Sequence, residues 1–303
     1  MLESSPDQLI PELPPLHIPR PYERPHTQLT REFDVLTKDG AHIHAFLYAP
    51  ADGAPAVMNA AVPFRYPVLM LHGNGEEHGI FGAVIDALIG CGRTVLAVDS
   101  RAQGVSTRGT APLTYELMCA DAIAALDAAD LAKVHVLGFS DGAIEGLLMA
   151  RDYAERVASL CSIGANLSPD DMGSNDFFEE TAEAYRAWSV AGDESACYED
   201  GTPAPTRAEA SHIAELLHMM VVEPHIDPTS LEDIICPVCV MAGELDEIPQ
   251  SETHRIATAI PGAREVIIAN ADHTLPKVDP EAVLRELLVT IAAAELVRAI
   301  GGC

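Results

Sequence analysis

Basic residues are scarce in this 303-residue chain: 18 Lys and Arg stand against 46 Asp and Glu, a formal net charge of −28. A polypeptide this short of cations lacks the side chains that neutralise phosphates, which argues against nucleic-acid binding. Repulsion from anionic lipid argues against peripheral membrane attachment as well. Aromatic residues are also few, at 5%, yet 48% of the chain is hydrophobic and the charged fraction is only 21%. That composition excludes an intrinsically disordered chain and fits a globular protein with an aliphatic core. No apolar run reaches the ~18 residues of a membrane-spanning helix. Met1 to Arg20 lacks both the basic and the apolar regions of a signal peptide.

Cysteine is present but unpatterned. The seven residues are Cys91, Cys119, Cys161, Cys197, Cys236, Cys239 and Cys303. An odd number scattered through apolar segments reads as reduced thiols in a cytoplasmic protein. Cys236-Pro237-Val238-Cys239 has metal or redox spacing, but it leads into an apolar run with no second pair nearby. Core packing is the expected role there.

What the chain does have is an ordered alternation of patterns. The first 30 residues carry prolines at 6, 11, 14, 15, 19, 21 and 25 and read as an extended arm. Arg31 to Ala49 alternates around Lys38-Asp39-Gly40, which predicts a hairpin. An Ala/Pro/Gly-rich connection over 50–66 follows. Short apolar runs then alternate with helical spacing: Pro67–Leu71, a helix over Ile80–Ile89, Thr94–Val98, a helix over Tyr115–Asp130, Val134–Leu137, and a helix over Ala143–Arg151. Further strands are expected at Ser159–Ile163, Val238–Ala242 and Arg264–Ala269, with a closing helix over Pro280–Ile300. This rhythm predicts βαβ units and a mostly parallel sheet covered on both faces.

Ala165 to Glu232 interrupts the rhythm with helical pieces at Phe177–Trp188 and Arg207–Val222, joined by a polar stretch. From Gly164 to Asp233 there are 16 acidic residues and two basic ones, Arg186 and Arg207, so this stretch holds half of the net charge. An insertion where strands of an open sheet end is placed to be a lid.

The chemistry begins at Gly138-Phe139-Ser140-Asp141-Gly142. A Gly-x-Ser-x-Gly arises by chance in roughly one chain in ten of this size, so its setting has to carry the argument. It lies between an apolar strand and a helix, where a sharp turn lifts the serine hydroxyl above the sheet and the helix N-terminus favours developing negative charge. A hydroxyl nucleophile needs a base, and the base needs a carboxylate to fix its tautomer. Gly243-Glu244-Leu245-Asp246-Glu247-Ile248-Pro249 and Asn270-Ala271-Asp272-His273 each follow a predicted strand, in the order acid then base.

On these motifs the chain from about Arg31 onward resembles the α/β-hydrolase superfamily. The resemblance implies an α/β fold with an eight-stranded, mostly parallel sheet, helices on both faces and a small helical lid. It divides the chain into an arm at 1–30, a core at 31–164 and 234–303, and an acidic lid insertion at 165–233. Ser140, Asp246 and His273 become the expected catalytic residues, with Glu244, Glu247 and Asp272 as competing acids. The backbone N–H groups of Asn74, in His72-Gly73-Asn74-Gly75, and of Asp141 become the expected oxyanion hole. Asp99-Ser100-Arg101-Ala102-Gln103-Gly104-Val105-Ser106 resembles a structural turn of the superfamily, with Ala102 in place of the usual Gly. The implied activity is cleavage of a small-molecule carboxylic ester through an acyl-enzyme, with no metal or organic cofactor required.

The Gly-x-Ser-Asp-Gly motif, with Gly164-Ala165-Asn166 ending the next strand, also resembles the biphenyl-hydrolase-like group, which includes valacyclovir hydrolases. In that group the Asp after the nucleophile recognises the α-ammonium of amino-acid esters, which makes Asp141 a candidate substrate ligand. Amino-acid ester, aminopeptidase-like or carbon–carbon bond hydrolysis remain open, as does a non-hydrolytic receptor, lyase or perhydrolase on the same fold. Oligomeric state is not legible in the sequence.

Overall fold

The computed structural model describes residues 11–16, 20–51, 65–172 and 175–301. Most of the predicted 50–66 connection, the first ten residues of the arm and Cys303 lie outside them. Strands β1 (Arg31–Leu36) and β2 (His42–Tyr48) form the predicted antiparallel hairpin, with Arg31 opposite Leu47 and Leu36 opposite His42. The turn closes where the Thr37 N–H donates to the Ala41 carbonyl at 2.8 Å.

The alternating segment follows as β3 (Val68–Leu71), α1 (Gly82–Gly90), β4 (Val95–Val98), α2 (Tyr115–Ala128), β5 (Val134–Phe139), α3 (Asp141–Asp152) and β6 (Val157–Ile163). Helices α4 (Asp176–Ala191) and α5 (Arg207–Val222) come next. The chain then returns with β7 (Val238–Gly243), α6 (Gln250–Ala259), β8 (Arg264–Ile268), the short α7 (Leu275–Val278) and α8 (Pro280–Gly301).

All eight strands make one sheet in the order β1-β2-β4-β3-β5-β6-β7-β8. The hairpin joins it antiparallel, β2 against β4, and each pairing from β4 to β8 is parallel. Strands β3 and β4 are four residues long and buried throughout, so they read as continuous apolar runs rather than alternating ones. Side chains still alternate between the two faces. Val68, Met70, Leu137, Phe139, Cys161, Ile163, Cys239 and Met241 share one core layer with Val84, Ile85 and Leu88 of α1 and Val283, Leu287 and Ile291 of α8. Each fully buried aliphatic side chain of this layer contributes roughly 1.5–3 kcal/mol relative to exposure. Helices α2 and α3 pack on each other, and α3 contacts β3, β5 and β6.

The chain divides into two compact units. The larger comprises Arg20–Gly173 and Pro224–Cys303 and contains the whole sheet. The smaller comprises Met1–Pro19 and Ser174–Glu223. Its described part is a helical pair around Tyr185, Trp188, Ala204, Ala210 and Ala214, with Leu13 packed against them. Trp188 Nε1 donates to the Pro205 carbonyl at 2.8 Å, and the Tyr185 and Tyr198 hydroxyls donate to the carbonyls of Pro15 and Pro14 at 2.8 and 2.9 Å. The proline-rich stretch thus supplies acceptors to this unit's own aromatics. Thr206 and Glu209 form a reciprocal capping box at the start of α5. Among the described residues no helix is long and apolar enough to cross a membrane.

Candidate active site

Asn74, Ser140, Asp246 and His273 all lie just past the carboxyl ends of parallel strands, after β3, β5, β7 and β8. In an open parallel sheet that edge is where loops gather polar groups. Ser140 stands between β5 and α3 with φ 53° and ψ −118°. A positive φ is costly for a residue with a Cβ and persists only where the surroundings enforce it. Here enforcement comes from close packing: a Cβ on Gly138 would fall 2.1 Å from the Gly142 carbonyl oxygen, and one on Gly142 would fall 2.2 Å from that of Leu71. Only glycines allow β5, the turn and α3 to approach this closely. The Ser140 N–H donates to the Ile163 carbonyl at 2.8 Å, and its carbonyl accepts from Ala143 and Ile144.

His273 Nε2 lies 3.0 Å from Ser140 Oγ, and His273 Nδ1 lies 2.8 Å from Asp246 Oδ1. An ionised carboxylate only accepts, so Asp246 assigns the ring proton to Nδ1 and leaves the Nε2 lone pair facing the serine hydroxyl. The Asp246 side chain is fully buried; its Oδ1 also accepts the Ile248 N–H at 2.9 Å, and its Oδ2 has no hydrogen-bond partner among the described residues. Burial works to lower the His273 pKa. The hydrogen bond and charge of Asp246, with the carboxylates of Glu247 and Asp141, outweigh it and raise the imidazole above its ordinary value.

Two of the competing acids sit in other contacts. Glu244 accepts the Asn270 N–H at 2.9 Å, and Asp272 accepts from Thr274 and pairs with Arg20 at 2.7 Å. Among the other histidines, His135 is buried against Ser159 and driven by desolvation to about 3, and His254 is exposed beside Glu265.

Asn74 and Asp141 are joined by their side chains: Asn74 Nδ2 donates to Asp141 Oδ2 at 3.0 Å. The Tyr115 hydroxyl donates to Asp141 Oδ1, also at 3.0 Å. The Asp141 carboxyl is therefore buried and occupied on both oxygens. Burial raises its pKa, and Asn74, Tyr115, His72 and His273 reverse only part of the shift. One helical turn on, Glu145 is also buried, and burial with the charges of Asp141 and Asp121 raises it well above the usual carboxyl range.

The loop before Asn74 is held independently. His72 Nε2 accepts the Ser100 N–H at 2.9 Å, so its proton sits on Nδ1 and faces the Gly73 carbonyl at 2.8 Å. The Gly75 N–H donates to Gln103 Oε1 at 2.6 Å. Gln103 and Ser100 belong to the turn predicted to be structural. Within it Asp99 accepts the N–H groups of His78 and Val105, and Arg101 pairs bidentately with Asp121 at 2.8 Å. Ala102 occupies the left-handed region with φ 64°.

Among the described residues, Glu77, His78 and Asp99 bring potential metal-ligand atoms within 4.8 Å of one another. Those atoms are already engaged, His78 with Asp99 at 3.0 Å and Glu77 with Arg24 and Tyr22. Tyr115 and Glu145 are polar residues of this region to which sequence reasoning assigned no role. Of these only Glu145 left a signal, as an acid at helical i,i+4 spacing from Asp141 flanked by apolar Ala143, Ile144, Leu147 and Leu148.

The alpha/beta hydrolase fold family matches residues 66–202. The chain is 26% identical over 258 residues to rhodomycin D methylesterase DnrP of Streptomyces peucetius, spanning 71% of this chain and 87% of the relative. It is 28% identical over 260 residues to a putative carbamate hydrolase, RutD, of a Caulobacter species, spanning 78% and 92%. Among solved structures, a hydrolase from Pseudomonas aeruginosa superposes with a TM-score of 0.66 at 22% identity, covering 86% of this chain and 98% of the other. A thermophilic esterase from Thermogutta terrifontis gives 0.65 at 21%, covering 88% and 100%.

Proposed function

The chain is an α/β-hydrolase-fold protein, and from that premise we propose that it is a serine hydrolase cleaving carboxylic esters through an acyl-enzyme on Ser140. The observation that carries this reading is the relay from Ser140 Oγ through His273 to the buried Asp246, at 3.0 and 2.8 Å. In the proposed cycle Ser140 Oγ attacks the ester carbonyl carbon while His273 Nε2 takes the hydroxyl proton. The backbone N–H groups of Asn74 and Asp141 stabilise the tetrahedral oxyanion. Collapse expels the alcohol, which receives the proton from His273. Water then attacks the acyl-enzyme, delivering one proton to His273, and the acid leaves as Ser140 regains its hydrogen. Asp246 holds the ring and stabilises its protonated form throughout.

The relatives support an acyl bond as the point of attack, since one is a methylesterase and another a putative carbamate hydrolase. The net charge of −28 favours neutral or cationic substrates over anionic ones through the long-range field. A panel of p-nitrophenyl esters of increasing acyl length, assayed with the wild type and Ser140→Ala, tests the reading. The wild type is expected to turn over at least the short esters and the variant to fall to the background rate. Equal rates in the two proteins refute it, and turnover of a carbamate but no ester moves the assignment to carbamate hydrolysis.

A further inference from the structure

The carboxyl beside the nucleophile takes no part in the cycle above, although its backbone does. We propose that Asp141 is a positioning residue whose carboxyl clamps the loop bearing Asn74 to the helix bearing Ser140, and that the acyl groups accepted therefore carry no α-ammonium. This rests on the serine-hydrolase reading and deepens it.

The two backbone groups assigned to the oxyanion hole come from separate parts of the chain, the loop after β3 and the first residue of α3. Their relative position matters most, because a preorganised donor loses its effect when displaced from the developing charge. The carboxyl of Asp141 spans that gap. One oxygen receives Asn74 Nδ2 and the other the Tyr115 hydroxyl, each at 3.0 Å. Tyr115 is itself buried at the first position of α2, so the clamp has a fixed anchor.

Further fastenings of the loop act on its flanks. The Gly142 N–H donates to the His72 carbonyl at 3.0 Å, and Gln103 holds the Gly75 N–H. Asn74, the residue between, is tied to α3 through Asp141. Asp141 is 3% exposed, with both carboxyl oxygens turned to protein donors. A substrate ammonium would have to open that buried packing and give up its own hydration to reach the carboxyl, a penalty that disfavours the contact.

The test uses the full-length protein. Asp141→Ala is expected to lower kcat on p-nitrophenyl acetate by roughly 10²-fold, near the effect of losing one oxyanion donor, with KM little changed. Asp141→Asn keeps an acceptor for Asn74 and offers its amide hydrogens to the tyrosine oxygen, so it is expected to recover most of that loss. Asn74→Ala and Asp141→Ala should be non-additive in a double-mutant cycle. The wild type should not prefer p-nitrophenyl alaninate over p-nitrophenyl propionate.

A wild-type kcat in folded Asp141→Ala overturns the clamp. So does a preference for the alaninate that disappears in Asp141→Asn, which would assign the carboxylate to the substrate. If Asp141→Ala fails to fold, Asn74→Ala decides, and an unchanged kcat there overturns the clamp. Labelling of Ser140 by a fluorophosphonate separates this outcome from failure of the hydrolase reading. If the wild type neither labels nor turns over esters, that reading falls, and amide hydrogen exchange over residues 73–76 judges the clamp. Exchange faster in Asp141→Ala than in Asp141→Asn upholds it, and equal exchange overturns it.

Discussion

Replacing Asp246 by Asn separates the two services this carboxylate is proposed to perform for His273, fixing the tautomer and stabilising the charged ring. The carboxylate accepts from His273 Nδ1 at 2.8 Å and from the Ile248 N–H at 2.9 Å, in a fully buried position. An asparagine is nearly isosteric, so the local fold should survive. If its amide nitrogen turns toward Nδ1, the ring proton moves to Nε2 and no lone pair faces Ser140. If its oxygen takes that place, the tautomer survives but the charge opposing the imidazolium is gone. Loss of a triad carboxylate in a protease of unrelated fold lowers kcat by about 10⁴-fold. That corresponds to about 5.5 kcal/mol of barrier, and a loss of this order is expected here.

The pH dependence should move as well, and its sign is fixed by chemistry. The base must be neutral, so activity falls as pH drops through the His273 pKa, which lies above the ordinary imidazole value because Asp246, Glu247 and Asp141 outweigh burial. Removing the Asp246 charge leaves burial less opposed, so the acidic limb of kcat/KM should move to lower pH. A limb displaced by one pH corresponds to about 1.4 kcal/mol of lost interaction with the imidazolium. Steady-state kinetics on p-nitrophenyl acetate from pH 5 to 9 would measure both effects. An activity loss below about tenfold, or a limb that stays in place, would refute the assignment of Asp246 and return Glu244, Glu247 and Asp272 to consideration.

Glu145→Gln should stabilise the protein increasingly as pH rises. Glu145 has a folded pKa well above its unfolded value, so the folded state holds the extra proton between the two, and stability declines through that window by up to ~1.4 kcal/mol per pH unit. Urea denaturation at pH 5 and pH 8 should show a larger gain for the variant at pH 8; an equal gain at both would count against a buried, protonated Glu145. Ala102→Gly relieves a side chain held at φ 64° and should add about 0.5–1 kcal/mol, read as a higher urea midpoint with an unchanged slope. A lower midpoint would mean that Ala102 contributes packing that outweighs its backbone cost.

What the sequence made legible is what periodicity and chain order encode. Strands such as Val68–Leu71 and Val95–Val98, buried on both faces, can be read only as short unbroken apolar runs. Their alternation with helical spacing was enough to foresee a parallel sheet and to put Ser140, Asp246 and His273 each past the end of a strand. The geometry then brings those three side chains into hydrogen-bonding sequence.

What stayed hidden depends on partners drawn from different loops. Asp141 was visible as an acid beside Ser140, and resemblance to the biphenyl-hydrolase-like group suggested a group facing substrate. Its bonds to Asn74 and Tyr115, 67 and 26 residues away, are set by the crossing of β3, α2 and α3 and leave no periodic trace. Leu13, Pro14 and Pro15 likewise read as a featureless arm, although they supply apolar contact and acceptors to the helical unit. For the same reason a local motif specifies the turn at Ser140 better than it specifies what surrounds the neighbouring carboxyl. The elbow is imposed by contacts within five consecutive residues and the strand beneath them, whereas the role of its one variable polar side chain depends on which distant donors the fold delivers to it. In this chain the fold delivers an amide and a phenol. That turns a carboxylate suited to bind a cation into one suited to hold the Asn74 loop still.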